Sequence, residues 1–256
     1  MTHKATPDSY LGERFEFKYI LTPEQAVRIE SDIQKLGLNL DENIPGGEYT
    51  VNSVYYETLL LDDYHDKDGS LLRRKKLRAR MYHDSWNEPL DNVWFEVKRK
   101  NNFHISKIRT QIEGGVWRDF FATGRALPLM DANKDLSGQN PGTLGTFMYY
   151  YTHGNYKPHI MVRYRRRAYM SKFVSPVRLT FDKDIQTAPA RMGRVEDKRA
   201  IPVRYGTTIL EVKFERLLPW WFTDIIGKYS IRRTDFSKYS LSVDALRAHY
   251  RLPIPR

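Results

Sequence analysis

In the stretch KKLRARMY, Lys76, Arg78 and Arg80 alternate with Leu77, Ala79 and Met81. Side chains alternate faces along a β-strand, so the cations share one face and the apolar residues the other. The pattern recurs. In RFEFKYIL, Arg14, Glu16 and Lys18 oppose Phe15, Phe17 and Tyr19, and in VWFEVK, Glu96 and Lys98 oppose Val93, Phe95 and Val97. Lys107 and Arg109 share a face in SKIRTQI, and Glu211, Lys213 and Glu215 oppose Leu210, Val212 and Phe214 in ILEVKFE. Any one of these is an ordinary solvated face over an apolar core. The set is harder to account for in that way, because solvated faces mix signs and the basic strands interleave only Glu16 and Glu96. Like charges about 4 Å apart cost roughly 1 kcal/mol in water and about 4 kcal/mol at an effective dielectric near 20. Several such rows facing one enclosed volume need a bound polyanion to offset the repulsion. The interleaved acids can orient the cations or hold a divalent metal.

The whole composition agrees. The 256 residues carry 42 Lys and Arg against 31 Asp and Glu, a net charge of +11, which favours a polyanionic partner: nucleic acid, anionic lipid or a phosphate-rich small molecule. There is no cysteine, which excludes a disulfide scaffold, a thiol nucleophile, a Cys-ligated zinc and an iron–sulfur cluster. With 41% hydrophobic residues the chain is not disordered. No apolar run approaches the roughly 18 residues of a membrane span, and residues 1–10 have no apolar signal region, so a cytoplasmic protein is expected.

The elements that must position the charges follow from periodicity and punctuation. Residues 1–10 read as a flexible arm and 11–250 as a single α+β domain. Arg14 to Leu21 reads as a strand. Thr22 then caps a helix with Pro23 at its first position and Gln25 reaching back, apolar residues at Ala26, Ile29, Ile33 and Leu36, and Gly37 as the stop. Pro45-Gly46-Gly47 marks a turn. Strands are expected over Tyr49 to Thr58, Leu71 to His83, Asn92 to Lys100, Phe103 to Ile112, His159 to Ser171, Val177 to Asp182 and Thr208 to Phe214. Pro89 lies in a polar loop, and Gly114-Gly115 ends a strand. Helices are expected over Leu59 to Lys67 (stopped by Asp68-Gly69), Val116 to Leu127, Gly142 to His153, Trp220 to Tyr229 and within Ser237 to Tyr250. Polar or basic loops cover Asp131 to Pro141 and about Thr187 to Tyr205.

A series of short motifs occurs in order: Arg14-Phe-Glu-Phe-Lys18-Tyr, Ser53-Val-Tyr-Tyr-Glu-Thr58, Lys76-Leu-Arg78-Ala-Arg80, Phe95-Glu-Val-Lys98, Lys107-Ile-Arg109, Tyr164-Arg-Arg166-Arg-Ala-Tyr169, Val177-Arg-Leu-Thr-Phe-Asp182, Leu210-Glu-Val-Lys213 and Phe236-Ser-Lys238-Tyr. Over roughly residues 10 to 245 the chain resembles the vacuolar transporter chaperone (VTC) domain, the polyphosphate polymerase branch of the triphosphate tunnel metalloenzymes (CYTH-like). The resemblance implies an antiparallel β-barrel or tunnel of about eight strands with flanking helices, charged faces inward. Carried over by position, it implies phosphate contacts from Lys18, Arg78, Arg80, Lys98, Lys107, Arg166, Arg178 and Lys238, a hydroxyl contact from Ser237, and Mn²⁺ or Mg²⁺ on Glu211. Arg109, Lys213, Glu96 and Glu16 are further tunnel candidates. The implied reaction moves the γ-phosphoryl group of ATP onto inorganic polyphosphate, starting from a triphosphate or pyrophosphate primer. Within Arg163 to Arg167, parity separates Arg166 from the other arginines, and only the resemblance selects it. Hydrolytic relatives open with Glu-x-Glu-x-Lys, whereas Arg14 stands first here, which disfavours a plain triphosphatase. Large eukaryotic members add an SPX domain and membrane helices. Neither is read here, so a separate membrane protein is an expected partner.

Two other classes compete: nucleic-acid binding and a non-catalytic polyphosphate or nucleotide sensor. The 17 tyrosines among cations allow base stacking, but the aromatics mostly lie opposite the charges, and no nucleic-acid module is recognisable. No histidine pair has metal spacing, and no glycine-rich phosphate loop is present. Trp220-Trp221-Phe222 reads as core or as a docking knob. Arg78 and Arg80 are expected to clamp the γ-phosphate. Arg78→Ala should lower ATP turnover or affinity in a steady-state assay, and wild-type values for both would remove that role.

Overall fold

In a computed structural model, the protein is described over residues 14–41, 47–66, 73–84, 90–101, 104–127, 129, 141–171, 176–215, 217–235 and 237–251. Expectations on the N-terminal arm, Pro45-Gly46, the Asp68-Gly69 stop, Pro89, Phe103, Phe236 and most of the Asp131 loop lie outside the described residues.

The strands are β1 (Arg14–Leu21), β2 (Asn39–Leu40), β3 (Glu48–Glu57), β4 (Arg73–Met81), β5 (Asn92–Asn101), β6 (His104–Glu113), β7 (Lys157–Met170), β8 (Arg178–Arg191), β9 (Arg194–Val195), β10 (Ile201–Pro202) and β11 (Thr208–Glu215). The helices are α1 (Pro23–Lys35), α2 (Asp62–His65), α3 (Gly114–Thr123), α4 (Pro141–His153), α5 (Trp220–Tyr229) and α6 (Lys238–Tyr250). The strands form one large antiparallel sheet in the order β1-β11-β8-β7-β3-β4-β5-β6, with β2, β9 and β10 as short additions. The class is α+β, as the alternation of long strands and helices implies.

The sheet curls without closing. β1 and β6 end the strand order and are not hydrogen-bonded to each other. The expected barrel is therefore open along one seam. Its two sides still meet through side chains, since Lys98 on β5 lies 3.7 Å from Glu16 on β1.

Two apolar layers cover the outer surface. Against β1, β8 and β11, α1 and α5 bury Tyr19, Leu21, Ile29, Ile33, Leu179, Leu210, Val212, Trp221 and Phe222. Against β3, β4 and β5, α3 and α4 bury Val54, Leu77, Ala79, Phe95, Val97, Trp117, Phe120 and Phe147. Phe95 meets Phe147 edge-on with ring centroids 4.6 Å apart. Each fully buried side chain of this size contributes roughly 1.5–3 kcal/mol. Trp221 and Phe222 are thus core, while Trp220 is 74% exposed.

α1 begins as its sequence predicts. Thr22 Oγ1 accepts from the Gln25 N–H at 3.1 Å, and Gln25 Oε1 accepts from the Thr22 N–H at 3.0 Å. The chain leaves the helix through Gly37 at φ +83°. Leu36, read as part of the apolar stripe, is exposed, and Leu38 is buried instead.

One expectation needs correction. The basic loop from Thr187 is not a loop at its start, because β8 runs on to Arg191. A register shift between Arg163 and Arg165 in the β7–β8 pairing, with Asp184 at φ +53°, puts one extra residue into β8. Asp182 and Ile185 can then both face inward, and a strict period-2 reading breaks at that point. The helices implied as flanking the sheet cover its outer face, with one exception. α6 instead packs on the inner face, where Tyr239, Val243 and Leu246 join Val51, Tyr55, Val162, Tyr164, Ile185 and Ile209. It fills one end of the enclosed volume.

Gly114 opens α3 rather than merely ending β6. Its N–H donates to Asp91 O at 3.0 Å, and a Cβ there would meet Leu90 O at 1.8 Å. Gly114→Ala should therefore lower thermal stability, by about 1–3 kcal/mol or more for an overpacked site, read as a fall in Tm beside an unchanged Gly115→Ala control.

Candidate functional site

The inner faces of β1, β4, β5, β6, β7, β8 and β11 and the first turn of α6 bring nearly all the predicted cations together. Three groups of carboxylates organise them. Glu96, 1% exposed, is the first. Arg78 Nε donates to its Oε2 at 2.5 Å, Lys107 Nζ lies 2.8 Å from Oε1, and Arg80 Nη1 lies 3.8 Å from Oε2. Arg78 also donates to Tyr55 OH at 3.0 Å, and Arg80 Nε to Ser53 Oγ at 3.2 Å. These contacts follow from register, because Arg78 pairs with both Tyr55 and Glu96, and Glu96 pairs with Arg109 on its other side. Burial pushes the Glu96 carboxyl up, but Arg78, Arg80 and Lys107 together hold it well below the usual carboxylate range.

Glu16 is the second. Lys18 lies at 3.1 Å, with Lys98 and Lys213 each at 3.7 Å. Burial and Glu211 raise its pKa, and Lys98, Lys213 and Lys18 overcome them, leaving it at about 2. The third is the pair Asp182 and Glu211. Arg166 grips Asp182 bidentately at 2.6 and 2.7 Å and lies 3.8 Å from Glu211. Lys238 Nζ sits between the two carboxylates, 2.6 Å from Asp182 Oδ2 and 2.7 Å from Glu211 Oε1. Burial disfavours its charge, and the two acids more than restore it, so Lys238 stays a cation above the ordinary lysine range.

Eight cations (Lys18, Arg78, Arg80, Lys98, Lys107, Arg166, Lys213 and Lys238) thus share four carboxylates. The rows of like charge are offset internally, but only by half. Burial lowers Lys98 and Lys107 to about 8 each, and neighbouring cations add to the shift. Arg109 stands beside this cluster with its guanidinium 4.6 Å over the Trp94 ring. Arg178 is the least integrated of the predicted residues. It pairs in register with Lys213, but its guanidinium turns to Asp41 at 3.2 Å. Ser237 Oγ accepts from Lys76 Nζ at 3.0 Å.

The structure resolves the arginine run. Arg166 faces inward, while Arg165 and Arg167 bind Glu48 on the other face, and Arg163 donates to Asn52 Oδ1 at 2.7 Å. The buried aromatics lie mostly in the outer layers, opposite the charges, with some exceptions. Tyr55, Tyr164, Tyr239 and Trp94 all lie against tunnel cations. Sequence reasoning missed Asp182 and Tyr164 as site residues. Both were legible by parity, Asp182 from Arg178 and Tyr164 from Arg166.

Among the described residues no group of three or more His, Cys, Asp or Glu is placed to hold a metal. Asp182 and Glu211 nonetheless suit Mg²⁺ or Mn²⁺ in donor type, since these ions take one or two carboxylates and complete their shell with substrate phosphates and water. Both carboxylates face the Lys238 ammonium and the Arg166 guanidinium here, so the donor pair sits in positive surroundings.

Glu96→Ala should leave Arg78, Arg80 and Lys107 uncompensated in a buried setting. Breaking a buried pair of this kind costs about 3–5 kcal/mol, measurable by denaturant unfolding, and added inorganic triphosphate should restore part of the loss.

No curated protein matches the chain. Among solved structures it is similar to the PH1819 protein from Pyrococcus horikoshii OT3, with 11% identity, a TM-score of 0.46, and coverage of 91% of this chain and 99% of that one. That likeness is too slight to carry an argument. The sequence matches the VTC domain over residues 13–247. The chain therefore belongs to the VTC domain family, which is associated with polyphosphate polymerase activity.

Proposed function

We propose that the protein is a polyphosphate polymerase that transfers the γ-phosphoryl group of ATP to the end of an inorganic polyphosphate chain. The observation that carries this reading is the excess of enclosed cations, two for every carboxylate, beneath a family match over most of the chain. A phosphate oxygen of the acceptor attacks the γ-phosphorus, the bond to the β-phosphate bridging oxygen breaks, and ADP leaves. The reaction asks for alignment and charge stabilisation rather than a protein nucleophile. Arg78 and Arg80 clamp the γ-phosphoryl oxygens, a geometry for which the planar guanidinium is suited. Lys18, Lys98, Lys107 and Arg109 hold the flanking phosphates. In this reading Arg166 and Lys238 stabilise the charge that develops on the bridging oxygen, held in position beforehand by their carboxylate partners. Mn²⁺ or Mg²⁺ on Glu211, with Asp182 beside it, supplies further neutralisation of the phosphates when bound. The chemistry admits pyrophosphate or triphosphate as primer, and a membrane protein as the receiver of the product.

Purified protein incubated with ATP and Mn²⁺, with and without pyrophosphate, tests the reading. The expected result is a polyphosphate ladder with stoichiometric ADP, reduced at least about 100-fold in Glu211→Ala, as for loss of one transition-state electrostatic contact. Free phosphate without a ladder would make the protein a triphosphatase. Tight triphosphate binding without turnover would make it a sensor.

A further inference from the structure

Lys76 differs from every other lysine of the enclosed face. It lies on β4, two residues before Arg78 and in register with Lys98 on β5. Lys98, Lys107, Lys213 and Lys238 each have a carboxylate within ion-pair distance. Among the described residues Lys76 has none. Its Nζ instead donates to Ser237 Oγ at 3.0 Å and Ser240 Oγ at 3.4 Å, and stands 4.4 Å from the centre of the Tyr239 ring. The nearby acids have other partners. Asp63 Oδ1 is held by Lys75 at 2.9 Å and by Tyr156 OH at 2.8 Å, and Asp63 Oδ2, buried without a hydrogen bond, makes no ion pair with Lys76. Glu57 accepts from Tyr239 OH and from the N–H groups of Thr58 and Asp63.

The hydroxyls that hold Lys76 belong to the start of α6. Ser237 is its N-cap and makes no side-chain capping bond, so the hydroxyl is given to the lysine rather than to the helix. Helix N-terminal N–H groups carry partial positive charge and bind phosphate. An ammonium without a carboxylate therefore faces a helix start that favours anions, beside Arg78 and Lys238.

We propose that Lys76 and the first turn of α6 together receive one phosphate group of the bound triphosphate or polyphosphate, the ammonium exchanging its serine contacts for phosphate oxygens. The inference rests on the tunnel being a phosphate-chain site. It adds a ligand beyond those that the motif series implies, and it gives binding a proton dependence. Burial lowers Lys76 to about 7. Asp63 on α2 and Glu57 on β3 oppose that shift, and Lys98 on β5 and Lys18 on β1 reinforce it. Arg74 and Arg78 on its own strand and Ser237, Lys238, Tyr239 and Ser240 on α6 complete its surroundings. Below pH 7 the free protein already carries the charge that phosphate needs. Above it, the ligand must bring a proton to Lys76 or forgo the contact, so this residue's contribution to affinity falls as pH rises.

Calorimetric titration of inorganic triphosphate, without metal, at pH 6.0 and 8.5 tests this with Lys76→Gln and Lys76→Arg. Comparison at a common pH cancels the titration of Lys98, Lys107 and the ligand. Loss of one charge-assisted contact should weaken binding about 10-fold in Lys76→Gln at pH 6.0, with a much smaller deficit at pH 8.5. Lys76→Arg should match the wild type at pH 6.0 and bind more tightly at pH 8.5, because its charge does not titrate. Unchanged affinity of Lys76→Gln at pH 6.0, or an equal deficit at both pH values that arginine does not rescue, overturns the role of Lys76 alone. Failure of the wild type to bind triphosphate at either pH overturns the phosphate-chain reading with it.

Discussion

A protein cannot enclose many cations without giving each of them something negative, and it cannot give them full compensation and still attract an anion. This fold settles between the two. Glu96, Glu16 and the Asp182–Glu211 pair are each shared among several cations. Each carboxylate is kept ionised by its neighbours, and the neighbours are kept in place by it. The preorganisation that phosphoryl transfer requires is therefore a folding property first. The outer apolar layers on α1, α5, α3 and α4 serve this arrangement by holding the strands in a register that sets Arg78 opposite Glu96 and Arg166 opposite Asp182.

Much of this was legible in the chain. The α1 capping box and the charged and apolar parity of β1, β4, β5 and β11 follow from local periodicity and end signals, whereas the inward position of the basic rows came only with the family resemblance. Three features were not. The continuation of β8 past Asp182 depends on a register shift, and one inserted residue reverses the parity on which the reading relied. The inward packing of α6 depends on Tyr55, Tyr164 and Ile185 forming an apolar patch on a face that is otherwise charged, a long-range coincidence that no single segment displays. The pairing of Lys238 with both Asp182 and Glu211 joins residues from three separate elements. Parity gave the faces and could not give the partners.

The seam of the sheet has a consequence of another kind. Unpaired strand edges are templates on which further chains can stack, and soluble proteins disarm them with inward-pointing charge or with cover. The outer edge of β1 is met by the segment through Arg233, which bridges to Tyr19, and by the Thr234 N–H, which donates to Lys18 O. On β6, the last strand in the order, Lys107 and Arg109 occupy alternate positions. The cations that would hold phosphate are thus also the residues that discourage intermolecular strand addition. Removing Lys107 or Arg109 would therefore bare the β6 edge at the same time as it altered the charged inner face.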